Sequence, residues 1–335
     1  MTVKVGINGF GRVAKSCLRA SFQHPDVEVV AVNSVRDPKF LAHLLKYDSV
    51  YGVLDAEVEA QGQSLLVGGQ RIDILSERDP SYLNWGEVGA EIVLEATGAF
   101  NERSAAAAHL SGGAKKVIIT APGKGVDFTV VLGVNEGDYR PDEHHVISNA
   151  SCTTNCLGVV VKVLQEKIGI KRASMTTIHS YTNDQRLLDI THQDFRRARA
   201  AGVSMIPTST GAARNIGLVL PGLEGKIDGM AIRVPTFTVS LVDLVAELKI
   251  DVNEEEVNDA FLEASRGEMS NYLGVSFEPL VSIDYKGSTY SGVIDALSTK
   301  VVGDRLVKVL AWYDNEWGYS MRVLDLAAFI AAKGL

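Results

Sequence analysis

At 335 residues the chain exceeds the roughly 250 to 300 at which one hydrophobic core tends to split, so two domains are expected. Its 33 basic and 41 acidic residues give a formal net charge of −8, which argues against nucleic acid as the main partner and requires any anionic ligand to be held by local arginines and backbone amides. No apolar run approaches the ~18 residues of a membrane span, no secretory pattern opens the chain, and three cysteines are too few for a disulfide framework, so a cytoplasmic protein without membrane attachment is expected.

Val3-Lys4-Val5-Gly6-Ile7 has the pattern of a buried strand and passes at once into Gly9-Phe10-Gly11-Arg12-Val13-Ala14. Val13, Cys17, Leu18 and Phe22 then follow helical spacing. A G-x-G-x-x-A run between a strand and a helix is the dinucleotide fingerprint in the setting that gives it meaning. Its glycines permit a tight turn and let a pyrophosphate approach the helix N-terminus. The next strand, 27–32, leads to Asn33-Ser34-Val35-Arg36, where an acidic residue would ordinarily hold the ribose 2′-hydroxyl. A carboxylate there would repel a 2′-phosphate, whereas the Ser34 hydroxyl can donate to one and Arg36 can pair with it. This favours acceptance of NADP, alone or beside NAD; the other reading is a tolerated serine that leaves NAD binding intact but weaker.

Residues 65–67 and 71–74 flank Gly68-Gly69 and predict a hairpin. Further core strands are predicted at 91–95 and 116–120, with a helix from 102 to 110 between them. Strands alternating with helices predict an α/β fold, a Rossmann-type, doubly wound and mostly parallel sheet. Ligands then bind at the carboxyl edge, where Ala96-Thr97-Gly98 and Thr120-Ala121-Pro122 fall.

Near the middle of the chain, Val146-Ile147-Ser148 reads as a strand and 157–168 as a helix, with Ala150-Ser151-Cys152-Thr153-Thr154-Asn155-Cys156 between them. The first turn of a helix presents unpaired N–H groups and the positive end of the macrodipole. A thiol at Cys152 is therefore expected to ionise more readily than a free thiol of pKa about 8.5. Ser151, Thr153 and Thr154 add hydroxyls able to hold an anion or a developing oxyanion. The plain alternative is a capping serine followed by an ordinary buried cysteine.

His179 closes a strand-like run from Ala173, from which it can reach a helix N-terminus and deprotonate a thiol, although a histidine so placed often makes only a structural hydrogen bond. Arginines beside Thr-Gly turns follow: Arg196-Arg197, then Thr208-Ser209-Thr210-Gly211, then Arg233-Val234-Pro235-Thr236. A guanidinium pairs two phosphate oxygens while hydroxyls and amides satisfy the rest, so two anion positions are suggested; a solvated surface or inter-subunit ion pairs would also account for them. Residues 239–250 read as a long strand, Asn253 as the cap of an acidic helix start, 306–312 as a strand and 319–332 as an amphipathic helix. This half is expected to be α+β, the catalytic domain. No metal site is indicated.

The chain resembles the phosphorylating glyceraldehyde-3-phosphate dehydrogenases essentially end to end. The resemblance rests on Gly6-Ile7-Asn8-Gly9-Phe10-Gly11-Arg12, His43-Leu44-Leu45-Lys46-Tyr47-Asp48-Ser49, the run from Ser148 to Cys156, His179-Ser180-Tyr181-Thr182, Arg196-Arg197 and Trp312-Tyr313-Asp314-Asn315-Glu316-Trp317-Gly318-Tyr319. It implies that Cys152 attacks the aldehyde to form a thiohemiacetal, that hydride passes to the nicotinamide, and that inorganic phosphate cleaves the thioester to release an acyl phosphate, with His179 as base. Thr182 and Arg233 would hold the substrate phosphate; Ser151, Thr153, Arg197, Thr210 and Gly211 would hold the attacking one. Cofactor contacts would come from Gly9, Gly11, Arg12, Val13, Ser34, Arg36, Arg78, Thr120 and Asn315.

By the same resemblance, the domains would be 1–150 for the dinucleotide and 151–317 for catalysis, with a C-terminal helix at 318–335 returning to the first. A loop at about 186–207 would lie near the cofactor and a neighbouring subunit of a homotetramer. Thr191 stands where many NAD-specific relatives have proline, which removes a steric block near the adenine ribose and agrees with Ser34. Phe237-Thr238 replaces a more usual pair beginning with proline, without a functional account. Two rivals remain: an erythrose-4-phosphate dehydrogenase, and a cofactor- or redox-sensing binding protein that keeps the fold without the catalysis. For the latter, Cys156 would serve as a resolving thiol or a metal ligand, although a buried structural cysteine fits the i, i+4 geometry better.

Overall fold

The computed structural model describes residues 2–335 and divides into two compact units. Residues 2–130, 137–150 and 320–335 form one, and residues 131–136 and 151–319 form the other.

The first unit is built on a nine-stranded sheet whose spatial order runs Phe128–Thr129, Val146–Ser148, Lys116–Ile119, Ile92–Glu95, Val3–Asn8, Val27–Asn33, Gln70–Leu75, Ser64–Val67 and Val58–Ala60. The first seven pair in parallel and the last two antiparallel. This is the α/β, mostly parallel arrangement expected from the alternation of strands and helices. Its central strands Ile92–Glu95 and Lys116–Ile119 are buried at every position, as strands covered on both faces must be. The predicted hairpin forms across Gly68-Gly69, where φ is +55° and +88°; two successive positive φ values are what a tight two-residue turn between twisted strands needs.

The helix expected over 102–110 is instead two single turns, Arg103–Ala106 and Ala108–Ser111. The alanines there offer little surface to pack, and the second turn is fixed by His109, whose ring is bound at both nitrogens in the interior. An additional helix, Pro38–Lys46, is capped by Asp37, which accepts from the Lys39 N–H at 2.8 Å. Within this unit the final residues pack back onto the first helix, Arg12–Ser21. The Cys17 thiol faces the Ser320 carbonyl oxygen at 3.9 Å, and His24 Nε2 lies 3.0 Å from Asp325 Oδ1.

The second unit carries an eight-stranded, mostly antiparallel sheet ordered Ile206–Thr208, Ile227–Val234, Ile170–Ser180, Ser240–Leu248, Leu306–Tyr313, Gly292–Asp295 and Leu273–Ser276, with Lys300–Val302 beside Leu306–Tyr313. Helices Cys152–Lys167 and Glu254–Arg266 pack on each other. The second begins with a reciprocal cap in which the Asn253 side chain accepts from the Glu256 N–H and Glu256 accepts from the Asn253 N–H, both at 2.9 Å. One parallel pair matters for the site. Ile170–Ser180 runs alongside Ile227–Val234 in a register that sets His179 opposite Arg233. Among the described residues no helix is long and apolar enough to cross a membrane.

Candidate active site

Cys152 is the first residue of helix Cys152–Lys167. Ser151 caps that helix from an extended conformation, its Oγ accepting from the Thr154 N–H at 3.0 Å. The cap satisfies one of the amides that a helix start leaves without a partner. Cys152 Sγ lies 3.5 Å from His179 Nε2. The imidazole, only 5% exposed, stands edge-on to Tyr313 at 6.0 Å between ring centres. Its other nitrogen, Nδ1, is 2.8 Å from the Ser180 carbonyl oxygen and 2.5 Å from Arg233 Nη1. Arg233 also donates to the Ser180 carbonyl at 3.1 Å.

These surroundings set the charges. Burial first, and the Arg233 cation second, push the His179 imidazole down from 6.5 to about 3, against the pull of the Ser180 carbonyl, so at neutral pH the ring is an uncharged base. Burial also pushes the Cys152 thiol up, outweighing the opposing influence of Arg233 and the hydrogen bonds from Thr153. Burial thus opposes the ease of ionisation expected of a thiol at a helix N-terminus, and His179 Nε2 is the base within reach of its proton.

Tyr313 completes the lining. Its Oη bonds the Thr153 hydroxyl at 2.8 Å and the Thr177 hydroxyl at 2.9 Å, which holds the helix start against two neighbouring strands. The Thr153 hydroxyl is thus shared between Tyr313 and the Cys152 sulfur. Arg197 Nε donates to Thr208 Oγ1 at 2.8 Å, and its Nη1 meets Asp184 Oδ2 at 2.5 Å. Thr210 Oγ accepts from the Ala212 N–H at 3.2 Å, and Gly211 is exposed. Thr182 is half-buried, its N–H donating to the Gln185 side chain at 3.2 Å. The Asn315 amide oxygen accepts from both Ser180 Oγ at 2.9 Å and Ser240 Oγ at 2.8 Å, which fixes the amide with its NH₂ turned away from the two hydroxyls. The remaining cysteines do not join this group: Cys17 and Cys156 are buried, with no disulfide. Cys156 Sγ faces the Ala311 carbonyl at 3.8 Å, and burial keeps its thiol well above the usual value.

In the first unit, Gly9 has φ +110°, and a Cβ there would lie 3.1 Å from the Ala96 carbonyl oxygen. Gly11 caps helix Arg12–Ser21 with no side chain in the way, so the amides of Arg12 and Val13 open the helix beside a turn that only glycine tolerates, a cradle suited to a pyrophosphate. Ser34 sits at the carboxyl end of Val27–Asn33, its hydroxyl accepting from the Arg36 N–H at 3.4 Å. Arg36 and Arg78 are exposed. The Thr120 hydroxyl donates to the Glu95 carbonyl at 3.1 Å. The Arg12 side chain is turned to an ion pair with Asp48, whose carboxyl the paired guanidinium and two backbone N–H groups hold down at about 2 despite burial.

Residues 3–103 of the chain match the family described as "glyceraldehyde 3-phosphate dehydrogenase, NAD binding domain", and residues 151–315 match the C-terminal domain of the same enzyme. Along all 335 residues, and over the whole of each relative, the chain is 61% identical to a glyceraldehyde-3-phosphate dehydrogenase of Geobacillus stearothermophilus and 60% identical to glyceraldehyde-3-phosphate dehydrogenase 1 of Bacillus subtilis strain 168. The chain belongs to the glyceraldehyde-3-phosphate dehydrogenase family. Within the first unit, one polar cluster escapes a reading by motif. Glu95, 1% exposed, accepts from Asn8 Nδ2 at 2.6 Å and from the Thr97 N–H at 2.9 Å. Trp85 Nε1 donates to His109 Nδ1 at 2.9 Å, which leaves the proton on His109 Nε2 to reach Glu95 at 3.0 Å. The only signal was a glutamate ending an apolar strand. In this glyceraldehyde-3-phosphate dehydrogenase family member the cluster ties the strand end below the Gly9 turn to its neighbours.

Proposed function

We propose that the chain is a phosphorylating glyceraldehyde-3-phosphate dehydrogenase, converting glyceraldehyde 3-phosphate to 1,3-bisphosphoglycerate with reduction of a nicotinamide dinucleotide. The observation that carries this is the 3.5 Å approach of Cys152 Sγ to an uncharged His179 Nε2 at a helix N-terminus, beside Arg233. His179 accepts the thiol proton, and the sulfur lone pair adds to the aldehyde carbon. The oxyanion that forms is met by the open amides of the first helical turn. His179 holds the hydroxyl proton of the thiohemiacetal as the carbon gives up its hydride. The bound nicotinamide supplies the two-electron acceptor for that hydride. Inorganic phosphate then attacks the Cys152 thioester, and the thiolate leaves and recovers its proton from His179. In this reading Arg233 and Thr182 orient the substrate phosphate, while Arg197, Thr210, Gly211, Ser151 and the Thr153 amide hold the attacking one.

The Gly9 cradle, the amides of Arg12 and Val13, Ser34, Arg36, Arg78, Thr120 and Asn315 would bind the dinucleotide. A serine in place of a carboxylate at the end of Val27–Asn33, together with Thr191, supports acceptance of NADP as well as NAD. Assembly as a homotetramer, inside the cytoplasm, is in keeping with the loop after Arg186. Its Leu187, Leu188, Ile190 and Phe195 are 87%, 74%, 63% and 90% exposed, an apolar surface that a lone chain would leave in water. The test is a phosphate-dependent assay with glyceraldehyde 3-phosphate, run in parallel with NAD and NADP on the wild type and on Cys152→Ser. Turnover should need both phosphate and Cys152; appreciable activity in the variant would overturn covalent catalysis.

A further inference from the structure

Glu95 ends a buried hydrogen-bond chain whose donors all point towards it. From one side, the Trp85 indole N–H donates to His109 Nδ1 at 2.9 Å, and the His109 Nε2–H reaches Glu95 Oε2 at 3.0 Å. From the other, Asn33 Nδ2 donates to Asn8 Oδ1 at 2.7 Å, and Asn8 Nδ2 donates to Glu95 Oε2 at 2.6 Å. The Thr97 N–H and hydroxyl both donate to the second carboxylate oxygen. Trp85, His109, Asn8, Asn33 and Glu95 are all buried.

The chain lies along the carboxyl edge of the first sheet, where ligands bind in such folds. Asn8 stands just before Gly9, Asn33 before Ser34, and Glu95 before Ala96-Thr97. Asn33 also exchanges two bonds with the Glu77 backbone, at 2.8 and 2.9 Å, next to Arg78. The backbone repeats the stitching: the Gly9 N–H donates to the Asn33 carbonyl at 3.0 Å, the Ala96 N–H to the Asn8 carbonyl at 2.9 Å, and the Ser34 N–H to the Leu75 carbonyl at 2.9 Å. Thr97 is exposed, and its hydroxyl also accepts from the Ala99 N–H at 3.0 Å. Gly9 lies directly against this loop, since a Cβ there would be 3.1 Å from both Ala96 and Thr97.

We propose that Glu95, oriented by His109 and Asn8, is a positioning residue for the dinucleotide: it sets the gap between the Gly9 turn and the loop at 96–99, and through Asn8 and Asn33 the span from that cradle to Ser34 and Arg78. The inference rests on the reading of those segments as the dinucleotide site. Glu95 is too deeply buried to touch the ligand, so it acts through the loops it holds. Packed apolar side chains would join the strand ends with less desolvation; what the polar chain adds is a fixed geometry. The carboxylate itself is required, because all four of its partners donate. An amide in its place would turn an NH₂ group towards donors already pointing there, leaving buried groups without a bond.

The test is isothermal titration calorimetry on the full chain, well below its unfolding temperature, with NAD and with ADP-ribose, which carries the pyrophosphate without the nicotinamide. Glu95→Gln should raise the Kd of both by about tenfold, the worth of one charge-assisted hydrogen bond, and in turnover the KM for NAD should rise by more than kcat falls. His109→Phe, at a position 0% exposed that no ligand reaches, should raise the Kd likewise. His109→Gln, which keeps a donor for Glu95, should restore binding to within about threefold of the wild type. Should the buried variants not fold, Thr97→Val at the exposed end decides: it should bind both probes more weakly than Thr97→Ser, which keeps the hydroxyl, and equal binding by the two overturns the inference. Wild-type Kd values in Glu95→Gln and His109→Phe, beside a lowered urea midpoint, would show a structural role only and overturn it too. A wild type that binds neither NAD nor ADP-ribose would instead overturn the reading of the dinucleotide site.

Discussion

The depressed basicity of His179 ties the acid stability of the fold to a residue of the candidate active site. In the unfolded chain its imidazole titrates at the ordinary 6.5, and in the folded one at about 3. Between those values the unfolded state binds a proton that the native state refuses, so stability rises with pH across that window and falls on acidification. At ~pH 5 the unfolded ring is almost fully protonated and the folded one is not, a cost of about 2 kcal/mol per chain relative to neutral pH. The cost grows as pH drops further and levels off below about 3. His179→Gln, which cannot take up the proton in either state, should lose this part of the pH dependence. Urea unfolding of both proteins at equal concentration, at neutral and mildly acidic pH, would measure it. The wild type should lose about 2 kcal/mol more than the variant. Parallel losses would mean that the ring is not held neutral by its surroundings, and the reasoning for an uncharged base would go with it.

Four further outcomes follow from the geometry. Cys152→Ser should retain cofactor binding, read by fluorescence quenching, while losing nearly all turnover. Tyr313→Phe removes the shared partner of two buried threonine hydroxyls and should destabilise the protein by about 1 to 3 kcal/mol; a shift in the urea midpoint of a few tenths at most would show that the hydroxyls find other partners. In Gly229→Ala the new Cβ would stand 2.2 Å from the Met175 carbonyl oxygen, forcing apart the strand pair that carries His179 and Arg233. It should cost about 1 to 3 kcal/mol or more and slow iodoacetamide alkylation of Cys152. Ser34→Asp should cut kcat/KM with NADP by at least about tenfold while sparing NAD, since a carboxylate repels the 2′-phosphate; equal effects on both would place the 2′-phosphate elsewhere.

Much of this architecture could be read before any coordinates, and for identifiable reasons. The first sheet announces itself through strands that must be apolar on both faces and through Gly9, whose positive φ other residues would not accept. Gly68-Gly69 specified its hairpin just as locally. The Cys152 helix start was legible from Ser151, a capping residue, and from the strand before it. What stayed hidden depends on groups far apart in sequence. Arg233 suggested an anion but not its contact with His179, because that contact is a matter of strand register. Thr153 suggested a ligand hydroxyl, but its bond to Tyr313, 160 positions away, has no signature in the sequence. The opposing influence of burial on the thiol was hidden for a similar reason: the helix dipole is a local effect, while desolvation depends on everything folded around the sulfur. The broken helix at 103–111 reflects His109, whose two bonds to Trp85 and Glu95 no periodicity reveals.

The first unit draws on both ends of the chain, with residues 320–335 returning to it after the whole of the second has been laid down. During synthesis the dinucleotide-binding sheet emerges early but stands with the flank of helix Arg12–Ser21 uncovered until the last residues leave the ribosome. The thiol of Cys17 and the ring of His24 wait for Ser320 and Asp325. A messenger truncated before codon 320 would thus release a chain whose first unit lacks the partners that Ser320 and Asp325 give to Cys17 and His24.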